Sequence, residues 1–181
     1  NEDGSIGSYN DLKEYGKLPN GLIMAGKIKE ANQVLNFVLD RFYDPSTGDF
    51  ETAPGFKSCA APFCVFYPYC NQWLLQAGLK LRRFDFVFKA AEFNDKFYNK
   101  KTGAQTINKP YDENGSNINC IFNSAALGTT YLYLNELKKA KHIADTTVKM
   151  IDLQPDWNNA ELGYPYYLRF DDNYKFIKYI E

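Results

Sequence analysis

Leu22-Ile23-Met24-Ala25-Gly26-Lys27 is the first copy of a repeat. It returns 52 residues later as Leu74-Leu75-Gln76-Ala77-Gly78-Leu79. Each copy closes an apolar run at Ala-Gly and is followed by a second helical pattern. Both second patterns end on Phe-Tyr and a Thr-Gly turn: Phe42-Tyr43 with Thr47-Gly48, and Phe97-Tyr98 with Thr102-Gly103. A repeat of this length, made of two helices and a turn, marks a helical-hairpin array.

Working outward, Asp11 reads as an N-cap with Glu14 three residues on, a capping-box-like pair. The helix it opens runs from about 11 to 26 and is broken near Gly16 to Pro19, because an interior proline removes a backbone donor. Gly26 ends it. The second helix, about 28 to 43, carries Ala31, Val34, Leu35, Val38, Leu39 and Phe42 on one stripe. Asp44 to Asp49 is turn chemistry, and Phe50 to Gly55 adds a short strand or hairpin. A helix over about 62 to 77 is apolar nearly all round, which predicts burial on all sides. Its partner, about 79 to 98, is amphipathic. The third unit repeats the contrast, with a mostly apolar helix over 118 to 134 and an amphipathic one over 136 to 152.

The fold class is therefore all-α: three αα-hairpins (about 11–43, 62–98 and 118–152) and a C-terminal segment over 153–181. Buried first helices and half-exposed second helices imply an inner and an outer layer, as in an α/α toroid. Six hairpins normally close such a ring, so these three make an incomplete, half toroid. An open array leaves apolar inner faces wet, at about 25 cal/mol per Å². Either a homo-oligomer or a missing second half of the same chain is then expected to cover them.

Composition narrows the partners. With 21 basic and 22 acidic residues and net charge −1, no basic stripe exists, which argues against nucleic acid. No apolar run approaches the ~18–20 residues of a membrane span. The chain opens without an initiator Met or a secretory pattern, which reads as a mature form, a trimmed chain or a fragment. Aromatic residues reach 17%, with 14 Tyr and 14 Phe, enough to fill a core and also to wall a cavity with hydroxyl points in it. Four cysteines, Cys59, Cys64, Cys70 and Cys120, are too few for a disulfide scaffold. Asn114-Gly115-Ser116 fits a glycosylation acceptor.

At Asp3-Gly4-Ser5-Ile6-Gly7-Ser8-Tyr9, followed by hairpins of this period, the chain resembles the terpenoid-cyclase and prenyltransferase toroids. The six-hairpin glycosidases and sugar 2-epimerases share the ring, and Tyr43-Asp44-Pro45-Ser46-Thr47-Gly48-Asp49-Phe50 is similar to their inter-hairpin segments. The resemblance implies a cavity where the inner helices begin. No Asp-x-Asp-Asp acid motif is present, and Asp171-Asp172 reads as solvated turn. The sole histidine, His142, reads as exposed on an outer helix; with one His, histidine acid–base pairs and histidine metal clusters within the chain are excluded.

Polar residues at that rim are the candidates. Asp11 and Tyr15 are four apart on one helical face, either as an acid or base with its hydrogen-bonding partner or as a plain cap. Cys59 and Cys64, ahead of the second hairpin, are either tunable loop thiols or core cysteines. Cys59, Cys64 and Cys70 match no metal-ligand spacing, so no metal or cofactor is expected. Tyr9, Lys17, Tyr67 and Tyr69 are candidate substrate contacts. So are Asn119 and Asn123, four apart on an inner helix, unless they bond between helices. The aromatic run Tyr164-Pro165-Tyr166-Tyr167 either covers the cavity mouth or packs under the ring.

The first functional expectation is a lyase- or isomerase-type enzyme. It would cyclise, isomerise or eliminate on an apolar, isoprenoid-like small molecule, with π-faces stabilising cations. The alternatives are a carbohydrate-active six-hairpin toroid, which needs paired carboxylates, and a non-catalytic helical-repeat binding module.

Overall fold

The computed structural model describes residues 1–8, 10–59, 66–154 and 167–177. Tyr9, Cys64, the start of the expected helix at 62 and Tyr164 to Tyr166 lie outside them. The chain divides into two compact units, Asn1–Lys96 and Phe97–Glu181.

The first unit holds two helical hairpins. Helix α1 (Leu12–Tyr15) begins where the Asp11 carboxylate accepts from the Lys13 N–H at 3.0 Å. The expected break follows at Gly16 and Lys17, and α2 (Leu18–Met24) carries Pro19 in its first turn, where a missing N–H costs nothing. Helix α3 (Ile28–Phe42) buries Ala31, Val34, Leu35, Val38 and Phe42 of the stripe its periodicity predicts and leaves Leu39 half-buried at its edge. Strands β1 (Tyr43–Asp44) and β2 (Asp49–Phe50) then pair antiparallel as a small hairpin. The second helical pair is α4 (Tyr69–Lys80) and α5 (Phe84–Asp95). Tyr15, Phe37 and Phe42 cluster against one another, and Phe50 meets Tyr43 and Phe86, so aromatic rings tie the hairpins to the turn between them.

The second unit holds one helical hairpin, α6 (Ile121–Tyr133) and α7 (Leu137–Asp152). It also contains a three-stranded antiparallel sheet of β3 (Gln105–Thr106), β4 (Asn119–Cys120) and β5 (Arg169–Phe170), in that order. Among the described residues its core shows two patches. One is Tyr98, Leu127, Tyr131, Ala140 and Ile143; the other is Ala104, Ile121, Met150 and Phe170.

The chain is thus mostly helical but not purely all-α. Among the described residues there are three helical hairpins, and the connections between them contain short paired strands. The first two strand turns repeat one geometry, and the third is one residue shorter. Phe42, Phe97 and Arg169 offer a carbonyl to the N–H of Glu51, Thr106 and Ile177, at 2.8–2.9 Å. Gly48 and Gly103 sit in the left-handed region at φ +86° and +72°, and Tyr174 fills that place in the third turn at +64°.

The repeat register also needs correction. Gly26 does end α2, at φ +73°, with the Lys27 N–H on the Leu22 carbonyl. Gly78 does not end α4, which runs on to Lys80; a Cβ there would lie 2.3 Å from the Phe86 ring, so glycine is present for close helix contact. The residue equivalent to Gly26 is Arg82 (φ +57°), one helical turn later, and in the third hairpin it is Asn135 (φ +61°). The same six-residue loop closes at both, Arg83 N–H on Gly78 and Glu136 N–H on Tyr131.

Two more boundaries shift. Phe66 to Pro68 form a turn, and α4 starts behind Pro68 as N-cap, a position where proline does not cost the helix a bond. Asn119 lies on β4 and not on a helix, because Asn119 and Cys120 bond to strands on both sides; Asn119 and Asn123 therefore share no helical face. Among the described residues no helix is long and apolar enough to cross a membrane.

Candidate functional site

The densest polar cluster of the first unit grows from β2. On an extended chain, residues two apart point the same way, and Asp49 and Glu51 do so toward Tyr67. The Tyr67 hydroxyl lies 2.7 Å from Asp49 Oδ2 and 2.7 Å from Glu51 Oε1. Those two carboxylate oxygens are therefore no more than about 5.4 Å apart, near the spacing of carboxyls that act directly on one centre. A phenol has one hydrogen to give, so it serves one carboxylate at a time.

The two carboxylates differ in surroundings. Asp49 is buried, and its Oδ1 accepts from the Lys57 ammonium, from Asn71 Nδ2 at 2.6 Å and from the Phe50 N–H at 2.7 Å. Glu51 is half-buried, with Oε2 on the Gly55 N–H at 2.9 Å. Lys57 is itself buried, donates to Asn71 Oδ1 at 2.6 Å and lies 4.4 Å from the Tyr67 ring centre. Burial pushes the Lys57 pKa down against the pull of Asp49. Burial, then the bonds to Asp49 and Glu51, pushes the Tyr67 hydroxyl up. Buried Cys70 is likewise held protonated, pushed up to about 12.

Asp11 lies in the same unit. Besides capping α1 it accepts from Ser58 Oγ at 2.7 Å and from the Cys59 N–H at 2.8 Å. Partial burial works against its charge, but the bonds from Cys59, Lys13 and Ser58 outweigh it and bring the carboxyl down to about 2. Cys59 is exposed, and its Sγ accepts from Lys13 Nζ at 3.3 Å. Asp11 and Cys59, 48 residues apart in sequence, are thus brought together. Tyr15 is fully buried and its hydroxyl accepts from the Ile6 N–H at 3.1 Å. Lys17 sits over Tyr69 and Trp73, 5.2 and 5.3 Å from their ring centres.

The second unit has its own acidic centre. Asp172 accepts from Asn99 Nδ2 at 2.6 Å, Asn117 Nδ2 at 2.7 Å and Asn119 Nδ2 at 3.0 Å. It lies in a turn, as its sequence reads, but is not simply solvated: Asp171 accepts from the Asn173 and Lys175 N–H groups, while half-buried Asp172 in the same turn points into the amides. Asn123 is fully buried, and among the described residues neither end of its amide has a hydrogen-bond partner; Gln105 is in the same state. His142 is half-buried rather than exposed, with Nδ1 2.8 Å from the Tyr98 hydroxyl, because the Gly103 turn packs against it.

Asp49, Glu51, Lys57 and Asn71 were not singled out by sequence. The alternation Asp49-Phe50-Glu51 beside a turn was a usable signal for the carboxylates; nothing local marks Lys57 or Asn71. Among the described residues no group of three or more His, Cys, Asp or Glu side chains is placed to hold a metal. Comparisons with protein-family models, with curated proteins and with solved structures found no match for this chain.

Proposed function

We propose that this protein is a carbohydrate-active enzyme on a toroid-type helical-hairpin scaffold, with Glu51 and Asp49 as its carboxylate pair. The observation that supports it is the Tyr67 hydroxyl joining two carboxylates of unlike exposure at 2.7 Å each. Half-exposed Glu51 gives its proton to the leaving glycosidic oxygen and then takes one from the water that attacks the anomeric carbon. Asp49, fixed by Lys57, Asn71 and Phe50, is the stationary charge that faces the developing cation or attacks it. Tyr67 sets their separation. A pair this close leaves no room for an intervening water, which implies net retention at the anomeric carbon. Cyclisation of an apolar substrate is less well supported: the apolar cavity of about 470 Å³ lies in the second unit and has no carboxylate on its wall.

The test is hydrolysis of a panel of aryl glycosides and oligosaccharides, with product anomers followed by NMR. Glu51→Gln should cut kcat by about 10²–10⁴ while circular dichroism stays unchanged. Full activity in Glu51→Gln, or no turnover of any glycoside by the native protein, would overturn the reading and leave a binding module as its successor.

A further inference from the structure

The left-handed residues Gly26, Arg82 and Asn135 align the three helical hairpins residue for residue. Positions on α6–α7 therefore have counterparts on α1, on the break at Gly16 and Lys17, and on α2–α3. In the first unit, α2–α3 carries the second hairpin on one face. A Cβ on Gly16 would lie 3.3 Å from Cys70 Sγ, so that helix passes close. Asn20 donates to the Trp73 carbonyl at 2.6 Å and accepts from Lys80 Nζ at 2.8 Å. Asn36 accepts from Arg83 at 2.6 Å. In the third hairpin the counterparts of Gly16, Asn20 and Asn36 are Ala125, Thr129 and Asp145.

On the third hairpin this face is open. Ala125, Thr129 and Ala144 are exposed, as are Leu132 at 60% and Val148 at 58%. With Gly128 they line the apolar cavity of about 470 Å³. Gly16 and Asn20 in the first hairpin, and Gln72 and Gln76 in the second, are buried at the positions of Ala125 and Thr129.

The gripping side has counterparts too. The second hairpin holds the first through Lys80 and Arg83, which correspond to Met24 and Lys27. Both of these are exposed, and Met24, at 85%, is the most exposed large apolar side chain among the described residues. We propose that the α6–α7 groove docks the first hairpin of a second copy of this chain, head to tail. Met24 then enters the cavity between Ala125, Thr129 and Leu132, and Lys27 meets Asp145.

The two sides match in polarity as the intramolecular pair does. Lys80 on Asn20 is polar on polar; Met24 in an aliphatic cavity is apolar on apolar. Arg83 on an amide becomes Lys27 on a carboxylate. Asp145 already pairs with Lys141 on its own helix at 2.6 Å, but that pair is exposed and opens at little cost. A head-to-tail contact joins unlike surfaces, so it closes a ring or extends a filament.

Sedimentation velocity of the full chain across a wide concentration range tests this. The expected result is reversible self-association, weakened about tenfold or more by Met24→Glu and by Leu132→Glu. Lys27→Glu and Asp145→Lys should each weaken it, and the two together should restore it. All four side chains are exposed or ion-paired at the surface, so the monomer fold should survive; unchanged circular dichroism checks this. A monomer at every concentration overturns the proposal. So does disulfide cross-linking of Thr129→Cys to itself in preference to Met24→Cys on another copy, since the contact would then be groove to groove.

Discussion

A buried ammonium is tolerated only where its charge and its donors are answered, and Lys57 is answered by Asp49 and Asn71. Removing one partner strands the other. Lys57→Ala and Asp49→Ala should each cost about 3–5 kcal/mol, and the double variant should cost less than their sum. Urea denaturation of the four proteins measures it. Asp11 is a milder case: Asp11→Ala should cost about 1 kcal/mol through the lost cap. Its carboxyl is depressed in the folded state, so its contribution is complete above the unfolded value of 3.8. That contribution is lost as pH falls through about 2. Stability profiles of native and Asp11→Ala protein should therefore converge below pH 4. Parallel profiles would mean that Asp11 is not charged in the way its hydrogen bonds require.

Each helical hairpin turns through one left-handed residue, and only the first uses glycine. Arg82 holds φ +57° with a Cβ that strains that conformation by about 1–2 kcal/mol. Its side chain is exposed, so Arg82→Gly should raise stability by about 1 kcal/mol. Asn135→Gly should gain less, because asparagine enters the left-handed region more readily. Calorimetric Tm values for the two variants decide the matter. A loss of stability in Arg82→Gly would show that the guanidinium holds something worth more than the strain. The strand turns invert the logic. Gly48 and Gly103 pack against α5 and α7 closely enough that an added Cβ would approach main-chain oxygen, 2.3 Å from Lys89 O and 2.8 Å from His142 O.

The division at Lys96 and Phe97 gives the molecule two cores, each with its own strand turns and acidic centre. Destabilising one should leave the other protected. Gly48→Ala should raise amide exchange in α3, α4 and α5 while α6 and α7 keep their native protection. Uniform loss across both units would mean that they unfold as one.

Features settled within a few residues are legible in the chain. The stripe of α3, the Asp11 cap, the break before Pro19 and the Thr-Gly turns each rest on local periodicity, capping or a positive φ, and all are found. The tertiary structure alone decided the register of the repeat, the short sheets and the polar centres. The Ala-Gly pair at 77–78 looks like a helix end, yet it lies inside α4 because Phe86 needs the space. Asp172 keeps its place in a turn, but it becomes an acceptor of buried amides only when Asn99, 73 residues away, reaches it. Lys57 has no sequence mark at all, for a charge becomes buried only when partners from β2 and α4 fold around it. Local structure is written in nearest neighbours, whereas burial and pairing depend on which distant segments arrive.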